Sequence, residues 1–196
     1  MTPLVRSPII EKKIPPKGLS SMSIFIRKAA AADLDAIARL YDDLNDYHAA
    51  RINYPGWKKG VYPTRTDAEE GLSCGSLYVA ECDGQIGGTV IYLDSQPEAY
   101  RSVQWQIETD APVVVLHILA VHPAFTGRGV GRALVGYADT VAKERGARAV
   151  RLDTHENNLP AIRLYEKCGL RPMGMVDLGL EEIYGLKWYR VFEKVI

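Results

Sequence analysis

The chain has 196 residues, 47% of them hydrophobic, and its 24 basic and 24 acidic side chains cancel. That length and apolar share fit one globular domain with a sizeable core and leave no room for a second full one. Balanced charge excludes a global field that would gather nucleic acid or anionic lipid, so any anion site must be local.

Residues 1–22 carry Pro3, Pro8, Pro15, Pro16 and the run Glu11-Lys12-Lys13. They have neither helical nor strand periodicity and read as a flexible extension, without the apolar core of a signal peptide. The domain is expected over 23–196. A short strand at 24–28 leads to a helix for which Asp33 is the expected N-cap, with Leu34, Ile37, Ala38, Tyr41 and Leu44 on one face. That helix fades near Tyr47 to Arg51, residues 52–63 read as a loop, and a short helix follows at 66–73. Strands at 77–81 and 85–93 are joined by Asp83-Gly84, a direct hairpin signal. After a polar and aromatic loop at 94–110 come a strand at 113–121, a helix from Ala133, a strand at 149–153 and a helix at 159–168 closed by Gly169. Strands at 173–178 and 186–195 end a β-α-α-β-β-β-α-β-α-β-β order, which describes an α/β domain with a mixed sheet. The apolar run at 113–121 is interrupted by His117 and is too short to span a membrane. Cys74, Cys82 and Cys168 are an odd number without C-x-x-C spacing, which fits a reducing cytoplasm and suggests neither disulfides nor a metal site.

The chemistry concentrates between Val113 and Arg132, where an apolar strand passes through a glycine-rich turn into a helix. N–H groups at a helix N-terminus lack intrahelical partners and share the positive end of the dipole. Gly127, Gly129 and Gly131 have no Cβ to block a phosphate, and Arg128 and Arg132 add positive charge, so an anion belongs there. A P-loop would need Lys followed by Ser or Thr after the last glycine, but Arg132 and Ala133 follow Gly131. A dinucleotide fingerprint would need glycine at 132 and should open the first βαβ unit. Asp153 is only a partial match to its acidic residue.

The third candidate is an acyl-CoA turn, and on two motifs the chain resembles the GNAT superfamily of acetyl-CoA-dependent N-acetyltransferases. The first is Val121-His122-Pro123 followed by Thr126-Gly127-Arg128-Gly129-Val130-Gly131; the second is Asn158, Ala161, Leu164, Tyr165 and Gly169 at the spacing of Asn-x-x-Ala-x-x-Leu-Tyr-x-x-x-Gly. Thr126 departs from the pattern, which has Gln or Arg there, and this shifts side-chain help for the phosphates to Arg128 or Arg132.

The resemblance implies a single-domain fold with a mixed, mostly antiparallel sheet of about seven strands, splayed at the cofactor site and flanked by about four helices. It implies acetyl-CoA as cofactor, with the backbone of Leu119, Ala120 and Val121 along the pantetheine arm and residues 126–132, Val130 included, around the diphosphate. Asn158 would hydrogen-bond the arm, and Tyr165 would protonate the departing thiolate. His117 is the candidate base. It stands two residues before Leu119, so simple alternation would place both side chains on one face of the sheet. Alternatives for these residues are a satisfied core histidine, a core tyrosine and a plain N-cap. His155 and Glu156 are reserve bases, His122 is expected at the strand end, and Asp153 could order the site or accept an amine. An acceptor pocket is expected from Tyr47, Tyr54 and Trp57 with Tyr100 and Trp105, and Glu98, Glu108 and Asp110 would attract a cationic amine. The activity implied is acetyl transfer to a primary amine by direct attack; the rivals are a non-catalytic acyl-CoA-binding module and a nicotinamide enzyme. No nucleic-acid or membrane partner is implied, and monomer and homodimer stay open.

Overall fold

A computed structural model describes residues 22–196; the extension expected at the N-terminus otherwise lies outside these residues. Seven strands form one sheet: β1 (Ile24–Lys28), β2 (Leu77–Cys82), β3 (Gln85–Leu93), β4 (Val113–Val121), β5 (Ala149–His155), β6 (Arg171–Asp177) and β7 (Trp188–Val195). Their order is β1-β2-β3-β4-β5-β7-β6, and every neighbouring pair is antiparallel except β4 with β5. The hairpin between β2 and β3 turns on Asp83 and Gly84, both with positive φ (49° and 83°), the pair of left-handed residues a tight two-residue turn requires.

Five helices flank the sheet: α1 (Leu34–Ala49), α2 (Arg65–Ser73), α3 (Val130–Glu144), α4 (Leu159–Lys167) and the single turn α5 (Glu181–Tyr184). The expected count of about four misses α5, whose four residues are too few to show a period. Asp33 is the N-cap residue of α1, as expected, but makes no side-chain cap bond to it. Its carboxylate accepts the Ala30 N–H at 2.7 Å and pairs with Arg27, because a 3₁₀ turn over Ala31–Asp33 precedes the helix. Helix α3 begins at Val130 rather than Ala133, so Gly131 lies inside its first turn. One face of the sheet packs Tyr92, Val114, Leu116 and Leu152 against Leu134, Ala138 and Val141 of α3 and Ile162 of α4. The other packs Val79, Ile91, Ile118 and Ala120 against Ile37, Leu40, Tyr41 and Leu44 of α1. Among the described residues, no helix is long and apolar enough to cross a membrane.

Two irregularities of β4 matter most. Its parallel ladder with β5 ends at Leu116↔Leu152, although β4 runs on to Val121 and β5 to His155, so the two strands part at the centre of the sheet. At the same place Ile118 adopts φ 48° and the register against β3 shifts, which inserts a bulge. The bulge reverses the alternation: Leu119 and Val121 pack on the α3 side, whereas Ile118 and Ala120 pack on the α1 side. His117 meets Tyr62, which packs with the α1 side, so His117 and Leu119 face opposite ways rather than sharing a face.

The loop at 94–110 is tied down by a buried ion pair. Arg151 of β5 and Glu193 of β7 are register partners, both fully buried, 2.9 Å apart. Arg151 also donates to Gln96 Oε1 (2.8 Å) and to the carbonyls of Ile107 (2.8 Å), Thr109 and Glu108, and Glu193 accepts the Gln106 N–H at 2.7 Å. Removing one partner strands the other's charge, at a cost of about 3–5 kcal/mol. Glu193→Gln should therefore lower unfolding free energy by about 3 kcal/mol in urea titration, and the double replacement Arg151→Met/Glu193→Leu should lose less than that single change.

Candidate active site

Where β4 and β5 part, the fold opens a cavity of about 1580 Å³. It runs from the glycine turn, past the ends of both strands, to aromatic rings contributed by α1, the loop at 50–64, α5 and β7.

At the turn, Pro123–Phe125 forms one 3₁₀ turn, and Gly127 and Gly129 both take left-handed φ values (76° and 89°). Gly129 is the N-cap of α3, and its carbonyl accepts the first helical bond from Ala133 at 2.9 Å. The N–H groups of Val130, Gly131 and Arg132 are the first three of the helix and have no intrahelical partner; those of Gly127 and Gly129 find none among the described residues. A Cβ at Gly127 would meet nothing within 4 Å, and one at Gly129 only Ile24 Cδ1 at 3.9 Å, so the space before these two donors is open. Gly131 differs: a Cβ there would come within 3.2 Å of Leu164 Cδ2, so its glycine serves the approach of α3 to α4. Thr126, Gly127, Gly129, Val130, Gly131 and Arg132 all line the cavity. Arg128 does not. Its guanidinium lies 5.4 Å from the centre of the Phe125 ring and its N–H is used by the Phe125 carbonyl, which leaves Arg132 as the cation of the turn on the cavity wall.

Helix α4 brings the second motif to the same cavity. Asn158 caps it, accepting the Ala161 N–H at 3.4 Å and donating to Thr154 Oγ1 at 2.9 Å. Tyr165 is buried edge-on against Phe192, with ring centres 5.7 Å apart. Its hydroxyl lines the cavity without a hydrogen-bond partner among the described residues, and burial raises its pKa, so the phenol keeps its proton. Cys168 is a partly buried packing residue off the cavity wall.

Opposite stand His117 and Asp153, one residue beyond the last β4–β5 rung on their respective strands. His117 Nε2 is 3.0 Å from the Tyr62 hydroxyl. Desolvation by the cavity walls lowers the imidazole pKa below its ordinary 6.5, partly opposed by the charges of Asp153 and Asp67, so the ring is neutral at neutral pH. Burial pushes the Asp153 carboxyl up, while the Tyr100 hydroxyl, donating at 2.7 Å, opposes the shift. Burial also raises Tyr62 and holds it protonated.

Of the expected acceptor wall, Tyr47, Tyr54 and Trp57 line the cavity, but Tyr100 and Trp105 do not. Tyr100 is fully buried beneath Asp153, and Trp105 stacks under Arg151 at 4.2 Å while its indole N–H bonds the Tyr100 carbonyl. Glu98, Glu108 and Asp110 are exposed and paired with Arg101, Arg148 and Arg101 respectively, away from the cavity. Of the reserve bases, His155 lines the cavity beside Tyr189 and Glu156 is not on the wall, whereas His122 turns away to Asp43 at 3.2 Å. The structure adds Tyr62, Tyr184 and Tyr189, which the sequence reading had not singled out. Tyr62 and Tyr184 come from segments with no periodicity, so only their aromaticity offered a signal.

A model of the Acetyltransferase (GNAT) family matches residues 37–170, and the chain belongs to that family. It is 40% identical over 117 residues to a streptothricin acetyltransferase of Escherichia coli, a match covering 60% of this chain and 57% of that protein. Less than two thirds of the length of the curated relatives it matches is spanned by this chain. A GNAT-family acetyltransferase from Streptococcus agalactiae 2603 shares the fold with a TM-score of 0.74 at 22% identity, covering 88% of this chain and 95% of that one. A structure from Salmonella typhimurium solved with its cofactor acetyl-CoA has a TM-score of 0.62 at 21% identity, over 88% and 93% of the two chains.

The left-handed N-cap gives a direct check on the turn. Gly129→Ala should lower unfolding free energy by about 1–2 kcal/mol in chemical denaturation, since a Cβ at φ 89° is strained even in open space.

Proposed function

We propose that the chain is an acetyl-CoA-dependent N-acetyltransferase that acetylates a primary amine by direct attack. The observation that carries this reading is a single cavity joining five free N–H donors at a helix N-terminus, an unpaired strand edge, a protonated tyrosine and a neutral histidine. When bound, acetyl-CoA supplies an acetyl group activated as a thioester. The donor set fits it: the N–H groups of Gly127, Gly129, Val130, Gly131 and Arg132, with the Arg132 side chain and Thr126 hydroxyl, would receive the diphosphate. The edge of β4 that loses β5 as partner, at Leu119, Ala120 and Val121, would receive the pantetheine arm as an added strand, with Asn158 beside it. Backbone N–H groups of that edge would polarise the thioester carbonyl.

His117 then removes the ammonium proton, the Tyr62 hydroxyl relaying it to Nε2. The freed nitrogen would then bond to the carbonyl carbon as the C–S bond breaks; Tyr165 would give its phenolic proton to the departing sulfur, and the second proton that the nitrogen sheds in becoming an amide would return to the phenolate through solvent. His117 suits that task because its lowered pKa leaves it unprotonated at neutral pH, and Tyr165 suits its own because a raised pKa keeps the proton in place until a thiolate forms. No cysteine lines the cavity among the described residues, which favours direct attack over an acyl-cysteine route. The name of the Escherichia coli relative adds streptothricin to the amines to be tested.

Thiol release from acetyl-CoA should appear with at least one member of a broad amine panel; cofactor binding without release from any of them would leave a non-catalytic acyl-CoA module. Tyr165→Phe should reduce kcat by about 10–100-fold with acetyl-CoA affinity retained. Arg132→Glu should weaken acetyl-CoA binding by about tenfold in calorimetry, and unchanged affinity would remove Arg132 from the cradle. Because the His117 pKa lies below 6.5, kcat/KM should rise with pH through a midpoint below that value, and His117→Gln should abolish that limb.

A further inference from the structure

The carboxylate of Asp153 has an unusual set of neighbours. It stands on β5 one residue past the last rung with β4, at the apex of the cavity, in the position matching His117 across the split. One oxygen, Oδ2, accepts the Tyr100 hydroxyl at 2.7 Å; the other, Oδ1, has no hydrogen bond among the described residues, yet is not sealed in protein and so opens to the cavity. No lysine or arginine among the described residues pairs with it, and the basic group whose charge acts on it is the His117 imidazole, neutral at neutral pH. The nearest basic side chain on its strand, Arg151, spends its N–H groups on Glu193, Gln96 and three loop carbonyls. Of the lysines and arginines on the cavity wall, Arg132 and Lys167 belong to α3 and the end of α4, and Arg51 stacks over the Tyr47 ring at 4.1 Å. A second polar group lacks a partner here too: the Tyr189 hydroxyl, on the same wall, is buried with no hydrogen bond. The same cavity wall carries the rings of Trp57, Tyr62 and Tyr184, packed edge-on or tilted at 5.6–5.7 Å between centres.

Burial disfavours the charged form of this carboxyl, and a cationic ligand at Oδ1 would restore it. We infer that Asp153 forms the subsite that receives the ammonium of the acceptor, and that the aromatic rings select an amine carried on an apolar or aromatic body. The inference rests on the acetyltransferase reading only for the fate of the amine, and binding can be measured without turnover. An ammonium at Oδ1 stands next to His117 on the neighbouring strand, where the proton must go. The faces of Trp57 and Tyr62 add cation–π attraction and exclude water. A ligand with an acidic group next to the amine would meet the Asp153 charge and be disfavoured.

Phenethylamine titrated calorimetrically into the full chain saturated with coenzyme A tests this, with 2-phenylethanol as the neutral counterpart of equal shape. Asp153→Asn keeps an oxygen for the Tyr100 hydroxyl, removes the charge and turns the cavity-facing acceptor into an N–H donor. The expected result is amine affinity lower by about 10–100-fold in Asp153→Asn, with coenzyme A affinity unchanged and the alcohol bound equally weakly by both proteins. Equal amine affinity in wild type and Asp153→Asn, or a wild type that binds the amine no better than the alcohol, overturns the subsite. Thiol release from acetyl-CoA on the same samples reports separately. Charge-dependent amine binding without release defeats the transfer reading and leaves the subsite standing; release with an amine KM indifferent to Asp153→Asn does the reverse.

Discussion

Everything at this site depends on where one parallel ladder stops. β4 and β5 share four register pairs and then part, while both strands continue for several residues. A strand edge inside a sheet normally satisfies its N–H and C=O groups through its neighbour, and unpaired buried backbone is costly. Here the break lies in the middle of a seven-stranded sheet and faces a large cavity, so those groups stand free for a ligand. The same break lies one residue before His117 and Asp153, which both line the cavity it opens.

The bulge at Ile118 is the second part of that design. It reverses which β4 side chains meet which layer, so Leu119 joins the α3 and α4 core while His117 stays toward α1 and Tyr62. Tyr165 on α4 and His117 on β4 therefore approach the cavity from the two faces of the sheet. A donor and an acceptor of protons on opposite sides of a gap can act at the two ends of one reacting group without exchanging a proton directly.

Local sequence signals located the elements well where a period or a turn residue marked them. β1, β3 and β4 keep the expected bounds, the Asp83-Gly84 hairpin forms, and Gly169 follows α4 in a left-handed conformation. The sequence misjudged features decided by tertiary contact. Alternation along β4 carried no sign of the bulge, because Ile118 at φ 48° is an unfavourable choice that only the surrounding sheet imposes. Tyr100 and Trp105 looked like pocket aromatics, yet they fill the space around the buried Arg151 instead. Arg128 looked like a phosphate ligand from its place between glycines, but a left-handed residue on each side points its side chain at Phe125. Tyr62 and Tyr184 lie in segments without periodicity, and nothing short of the folded chain brings them to His117.

The Arg151–Glu193 pair has a consequence for the shape of the cavity. Arg151 is two residues before Asp153 on the same strand, and the loop it holds supplies Ser95, Gln96 and Pro97 to the cavity wall. One buried guanidinium thus sets the wall and the floor in a fixed relation before any ligand arrives. With those hydrogen bonds made inside the folded chain, the entropy of ordering that wall is spent during folding instead of at each binding event.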